Sequence, residues 1–210
     1  MGTIEVDYEI KDLANYLVSS EADGYGGQTR WDSMLNQLVS NPMMSPDSLG
    51  TLIAQTYFNS YAEKRTIAVK DLSRIESIAR DIYNFAHFLK NHINTSASLI
   101  MSLRNQTQSF APYLNGPKEY IDLYQFAELI RDNINDADLQ NAASSLMSNI
   151  SSSRVYYDYS GYYSAEGYSI WFPPNSTYYY AWISKYEDLD FARTTLGQEW
   201  KQFLEEILTH

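Results

Sequence analysis

Strand character in this 210-residue chain is confined to four short runs, roughly 18–20, 66–69, 154–158 and 168–172. Long stretches of helical periodicity separate them. Ile75, Ile78, Ile82, Phe85 and Leu89 repeat at three-and-four spacing, the mark of an amphipathic helix beginning near Asp71 or Ser73. Further helices are expected over Trp31–Val39, Thr95–Phe110, Tyr120–Asn133 and Asp136–Ile150. Ser45-Pro46-Asp47 is a helix start, with a capping serine and proline at the first helical position. "LDFARTTLGQEWKQFLEEIL" closes the chain as helix, with a break near Gly197. Four strands dispersed in this way make a poor independent sheet and suit one side of a larger α/β sheet. The expectation is a single domain over 1–210, with a helical flank at about 71–150. An aromatic strand pair, joined as a hairpin or as neighbours, and a closing helix follow at about 154–208.

The totals exclude several classes. The net charge of −11 opposes nucleic-acid binding, which relies on Lys and Arg to displace counterions from phosphate. With no cysteine, disulfides, thiolate metal sites and a cysteine nucleophile are ruled out within these residues. No apolar run approaches the about 18 residues that a membrane-spanning helix requires. Tyrosine is over-represented at 19 copies, ten of them between Tyr156 and Tyr186 beside Trp171, Phe172 and Trp182.

The N-terminal "MGTIEVDYEIKDLANYLVSSE" admits two readings. Ile4, Val6, Tyr8 and Ile10 alternate with acids, as in a half-buried strand. Equally, Thr3 can cap a helix in which Ile4, Tyr8 and Lys11 share a face.

Three stretches, matched in order and spacing from Met1 to Ile207, resemble the clostripain family of cysteine peptidases. They are the N-terminal run just quoted, "YIDLYQFAELI", and "GYSIWFP" followed by the closing Phe-Ala…Trp…Phe-Leu helix. In that family the first run comes immediately after the catalytic cysteine. The resemblance therefore implies an α/β chain that is part of a caspase-like sandwich, with a large helical component and its N-terminal strands missing. It also implies that the nucleophilic cysteine and its histidine lie outside these residues, which leaves the chain inactive alone. It favours a helix at Thr3–Lys11. The expected substrate is a protein or peptide, cut after Arg or Lys, and the expected setting is bacterial, secreted or in the cell envelope. A missing N-terminal portion or a second copy of the chain is the further partner expected.

No catalytic residue is assigned within the chain. The resemblance points to the glycine-rich loop in "EADGYGGQTRW", with Asp23 and Tyr25 as the substrate-binding candidates. The family's acidic position aligns nearer Gly24–Gly27, and a solvated turn aspartate is the other reading of Asp23. Glu5 and Glu9 read as a solvated helix face, and Asp122 as a helix cap or buried acceptor. No cofactor or metal is expected. Calcium is the one candidate, at Asp132, Asp136 and Asp138, whose spacing lacks the pattern of a known calcium loop. A function of another class is a non-catalytic module that binds carbohydrate or peptide through the aromatic tail.

Overall fold

The computed structural model describes residues 2–22, 29–60, 64–111, 116–162 and 164–210. Thr3 caps a short helix, α1 (Ile4–Ile10), its hydroxyl accepting from Val6 N–H. The chain returns through β1 (Tyr16–Ser19) to the helices α2 (Trp31–Ser40) and α3 (Pro46–Ser60). β2 (Arg65–Asp71) and a tight 3-10 turn lead into the long α4 (Ile75–Asn91), followed by α5 (Ile93–Gln106). Two short strands, β3 (Ser109–Phe110) and β4 (Tyr120–Asp122), precede α6 (Leu123–Asn133) and α7 (Ala137–Ser153). β5 (Arg154–Ser160), β6 (Ser169–Trp171), α8 (Ser176–Tyr186), α9 (Asp190–Arg193) and α10 (Thr195–Thr209) complete the described elements.

The strands form two antiparallel three-stranded sheets, in the orders β1-β2-β5 and β3-β4-β6. The aromatic strands β5 and β6 are thus not a hairpin, because each joins a different sheet. A register shift between Val69 and Lys70 interrupts the β2–β5 pairing. Among the described residues only Thr3 and Ser169 pair in parallel, as an isolated bridge between the approach to α1 and the start of β6.

Packing explains the rest of the architecture. Ile67 and Val69 of β2 meet Ala54 of α3 in a small cluster on one face of the first sheet. The main core lies among α4, α6, α7 and α10, with β6 supplying Ile170 and Trp171. All five apolar positions predicted for the long helix are buried. Phe85 stands edge-on to Phe126, and Phe126 to Phe172, with ring centroids 5.8 and 5.6 Å apart. The closing helix breaks at Thr194 rather than at Gly197: the Thr194 hydroxyl accepts from Gly197 N–H and starts α10. Glycine is needed there because a Cβ would stand 2.1 Å from the Phe191 carbonyl oxygen.

Four expectations require correction. The helix expected to run to Phe110 gives way at Thr107, and Ser109–Phe110 pair as a strand. Tyr120–Asp122 is strand, not helix, because its backbone pairs with β6. "NSTYYYAW", expected as an exposed loop flanking the "SIWFP" strand, is helical and capped by Asn175. The helix over Trp31–Val39, in which Trp31, Leu35 and Leu38 are expected on one side, has no core face, since Trp31 and Leu35 are about half exposed and no residue of α2 is buried.

Replacing Phe85 by alanine should cost about 3–5 kcal/mol, the usual sum of lost transfer energy and residual cavity. Urea unfolding followed by circular dichroism measures it; a loss below about 1 kcal/mol would contradict the core as described.

Candidate functional site

The two sheets meet at the backbone of Gly2. Its N–H donates to Ser20 O, just past β1, at 2.5 Å, and its neighbour Thr3 bridges to Ser169 at the head of β6. Its carbonyl oxygen accepts from Lys70 Nζ at 3.2 Å and from Ser169 Oγ at 3.4 Å. The approach is so close that a Cβ on residue 2 would sit 2.3 Å from Ser19 Oγ.

A buried ion pair underpins this junction. Lys70 Nζ lies 2.7 Å from Asp7 Oδ2, and neither side chain is exposed. The ammonium also stands 4.4 Å from the centre of the Tyr168 ring. Burial pushes the Asp7 carboxyl above its ordinary range, and Lys70 pulls it back down. Lys70 occurs in the run Ile67-Ala68-Val69-Lys70, where an apolar residue would be ordinary. Its charge is tolerable only because Asp7, the Gly2 carbonyl and the Tyr168 ring receive it.

Glu5, expected on a solvated face, is 2% exposed. One of its oxygens accepts from Trp171 N–H at 2.9 Å, linking α1 to β6. Desolvation raises its pKa to about 7. A turn of helix therefore buries Glu5 and Asp7, while Val6, assigned to the apolar side by the alternation, is 43% exposed.

Beneath the end of β1 lies a second polar network. The Thr66 hydroxyl oxygen accepts from Glu21 N–H at 3.0 Å and from Ala22 N–H at 3.2 Å, and it lies 2.8 Å from Ser20 Oγ. Because Ser20 Oγ donates to Ala22 O, the Thr66 hydroxyl proton goes to Ser20. Glu21 accepts from Gly167 N–H at 2.9 Å. Asp122 caps α6 by accepting from Gln125 N–H, and its other oxygen accepts from Glu166 N–H. Asp122 is thus both of the things expected of it, a cap and a buried acceptor. Burial drives Glu21 and Asp122 upward together.

The substrate-binding candidates Asp23 and Tyr25 lie outside the described residues; Glu21 and Ala22, at the root of their loop, are fixed as above. The acidic trio does not converge. Asp132 pairs with Arg131 at 2.7 Å, while Asp136 caps α7 through Leu139 N–H and faces His92 at 3.5 Å. Among the described residues no group of three or more metal-ligating side chains forms. His87 pairs with Glu199 at 3.0 Å on the surface. No described helix is long and apolar enough to cross a membrane.

Part of the aromatic tail is structural: Tyr168, Trp171, Phe172, Tyr179 and Tyr186 are buried. They leave one concavity of about 330 Å³, lined by Glu119, Tyr120, Trp171, Trp182, Lys185, Tyr186 and Leu189. Sequence reasoning missed both this slot and the Lys70–Asp7 pair. A lysine inside an apolar strand was the available signal for the pair. The slot had none, because Glu119 precedes a strand that reads as helix.

The sequence model of the clostripain family matches residues 1–206. The chain belongs to the clostripain family. Among solved structures it is similar to an inactive zymogen C11 protease from Parabacteroides distasonis, with 13% identity and a TM-score of 0.67 over 91% of this chain and 54% of that one. It is also similar to a secreted C11 cysteine protease from Bacteroides thetaiotaomicron, with 18% identity and a TM-score of 0.64 over 91% of this chain and 51% of that one. A clostripain from the same organism, solved with a peptide inhibitor, gives 16% identity and a TM-score of 0.62 over 91% and 81%. Among curated proteins none matches. At these identities the likeness establishes the fold, the α/β class expected from the sequence. This clostripain-family chain spans about half the length of the zymogen.

Two outcomes are expected at the junction. Lys70→Met should cost about 3–5 kcal/mol by leaving Asp7 buried without its partner, and Asp7→Leu added to it should restore most of that. Equal losses in the single and double variants, by urea unfolding, would remove the pair from its place. Glu5 adds a pH dependence. Its folded pKa lies above its unfolded value, so the folded state holds the extra proton and stability declines as pH rises from 4.5 to about 7. Glu5→Gln should flatten that decline by up to about 3 kcal/mol, read as unfolding free energy at pH 5 and pH 8.

Proposed function

We propose that the chain is the downstream portion of a bacterial, exported cysteine endopeptidase that cleaves proteins or peptides after arginine or lysine. The nucleophilic cysteine and its histidine come from residues outside the 210. The observation that carries this reading is the backbone of Gly2, hydrogen-bonded to Ser20 beside β1 while Thr3 pairs in parallel with Ser169. A segment leading into Gly2 would run between β1 and β6 and join the two sheets into one. A cysteine near the end of that segment would stand beside Ser20, three residues ahead of Asp23 in the sequence. Family membership over residues 1–206 supports the reaction class.

The chemistry follows from that placement. A thiolate attacks the scissile carbonyl, and the tetrahedral intermediate expels the amine, which takes its proton from the imidazolium. Water then hydrolyses the thioester and regenerates the thiol. This chain's part is structural and selective. β1, β2 and β6 hold the attacking strand in register, and the Lys70–Asp7 pair fixes its last carbonyl. Asp23 is the acid that would meet a basic side chain, a contact that guanidinium makes bidentately. Export rests on likeness to relatives described as secreted.

The test uses peptidyl-arginine and peptidyl-lysine amide substrates. The 210-residue chain should release no product. The same chain preceded by its upstream cysteine- and histidine-bearing residues should, and changing that cysteine to alanine should abolish it. Hydrolysis by the 210 residues alone, or activity that survives the alanine control, would overturn the proposal.

A further inference from the structure

We propose that the slot between α8 and the β4–β6 edge is a second binding site, one that takes the aliphatic, positively charged side chain of a peptide lysine or arginine. The inference does not rest on the peptidase reading, because none of the slot residues is assigned to that chemistry.

Glu119 is 4% exposed, yet it forms no ion pair among the described residues. Its one side-chain hydrogen bond comes from Trp171 Nε1–H, to Oε2 at 3.2 Å. Burial pushes its carboxyl above the ordinary range, and the indole bond offsets only part of that rise. A carboxylate sunk in an aromatic wall without a counter-ion is costly, and a cation supplied by a ligand relieves the cost.

The walls suit the rest of such a side chain. Trp171 stacks on Tyr186 at 4.6 Å and on Tyr179 at 5.7 Å, so the inner wall is a fixed aromatic block. Leu189 and Tyr120 add apolar surface, and Trp182, about half exposed, stands in the lining with ring area to offer. Methylenes pack against such walls while the charged head meets the carboxylate and the ring faces. Tyr186 belongs to the same lining, and its buried hydroxyl has no hydrogen-bond partner among the described residues. At about 330 Å³ the slot holds one long side chain, not a folded segment.

Lys185 also lines the slot, but it is exposed and pairs with no acid there. The chain's net charge of −11 draws cationic peptides toward it.

The experiment titrates the 210-residue chain with N-acetyl-lysine amide, N-acetyl-arginine amide and N-acetyl-norleucine amide, following tryptophan emission. Norleucine has the lysine stem without the charge. Saturable quenching by the two cationic probes and none by norleucine is the expected result. Glu119→Gln, which keeps an acceptor for the Trp171 indole, should weaken cation binding about tenfold or more. Trp182→Ala, at a half-exposed position, should weaken it about threefold and leave the thermal midpoint unchanged. Norleucine binding equal to lysine, or Glu119→Gln binding as tightly as the parent, would overturn the assignment. So would cation binding that neither substitution alters.

Discussion

Lys70 and Asp7 form an ion pair with no exposed surface, and the two sheets are joined across it. The lysine belongs to β2, the aspartate to α1, the accepting carbonyl to Gly2, and the ring beneath the ammonium to the residue that leads into β6. Each partner comes from a different part of the chain, and none can leave without stranding a charge or a carbonyl away from water. A pair of this kind adds little net stability compared with an apolar substitute. What it adds is position, because only one arrangement of α1 against β2 satisfies all four groups. The same logic extends to Glu5 on Trp171 and to Glu21 with Asp122, which tie the ends of strands to neighbouring turns. The centre of the molecule is held in place by polar contacts, and the helical flank by apolar packing.

That division decides what could be read from the sequence. The long helix was legible because Ile75, Ile78, Ile82, Phe85 and Leu89 announce their buried face by spacing alone. The caps at Thr3 and Asp136 were legible too, since a short oxygen-bearing side chain ahead of an apolar run has a local meaning. The strands Ser109–Phe110 and Tyr120–Asp122 were not. Two or three residues carry no period, and each finds its place by pairing: β4 with β6, about fifty residues later, and β3 with β4. α1 misled in a different way. Its acids alternate with apolar residues, yet two of those acids are inside, bound to Lys70 and to the backbone of Trp171. The resemblance to a family favoured a helix there, whereas periodicity left the question open.

The site was legible as a class and not as a constellation. The absence of cysteine from the 210 residues and the clostripain-like runs together pointed to chemistry completed elsewhere. The aromatic tail looked like one surface and divides into two. Tyr168, Trp171, Phe172, Tyr179 and Tyr186 turn inward, and Tyr180 and Trp182 remain outside on α8. A count of tyrosines cannot make that division, because within α8 it depends on which face of the helix each residue occupies.

Trp171 is bound on every side by a different element. Its N–H goes to Glu5 on α1, its carbonyl accepts from Trp200 on α10, its indole N–H reaches Glu119 beside β4, and its ring lies against two tyrosines of α8. One fluorophore therefore reports on four segments at once. Loosening any of them changes the polarity around a single indole, so a shift in its emission registers partial opening of this half of the molecule before the backbone signal is lost.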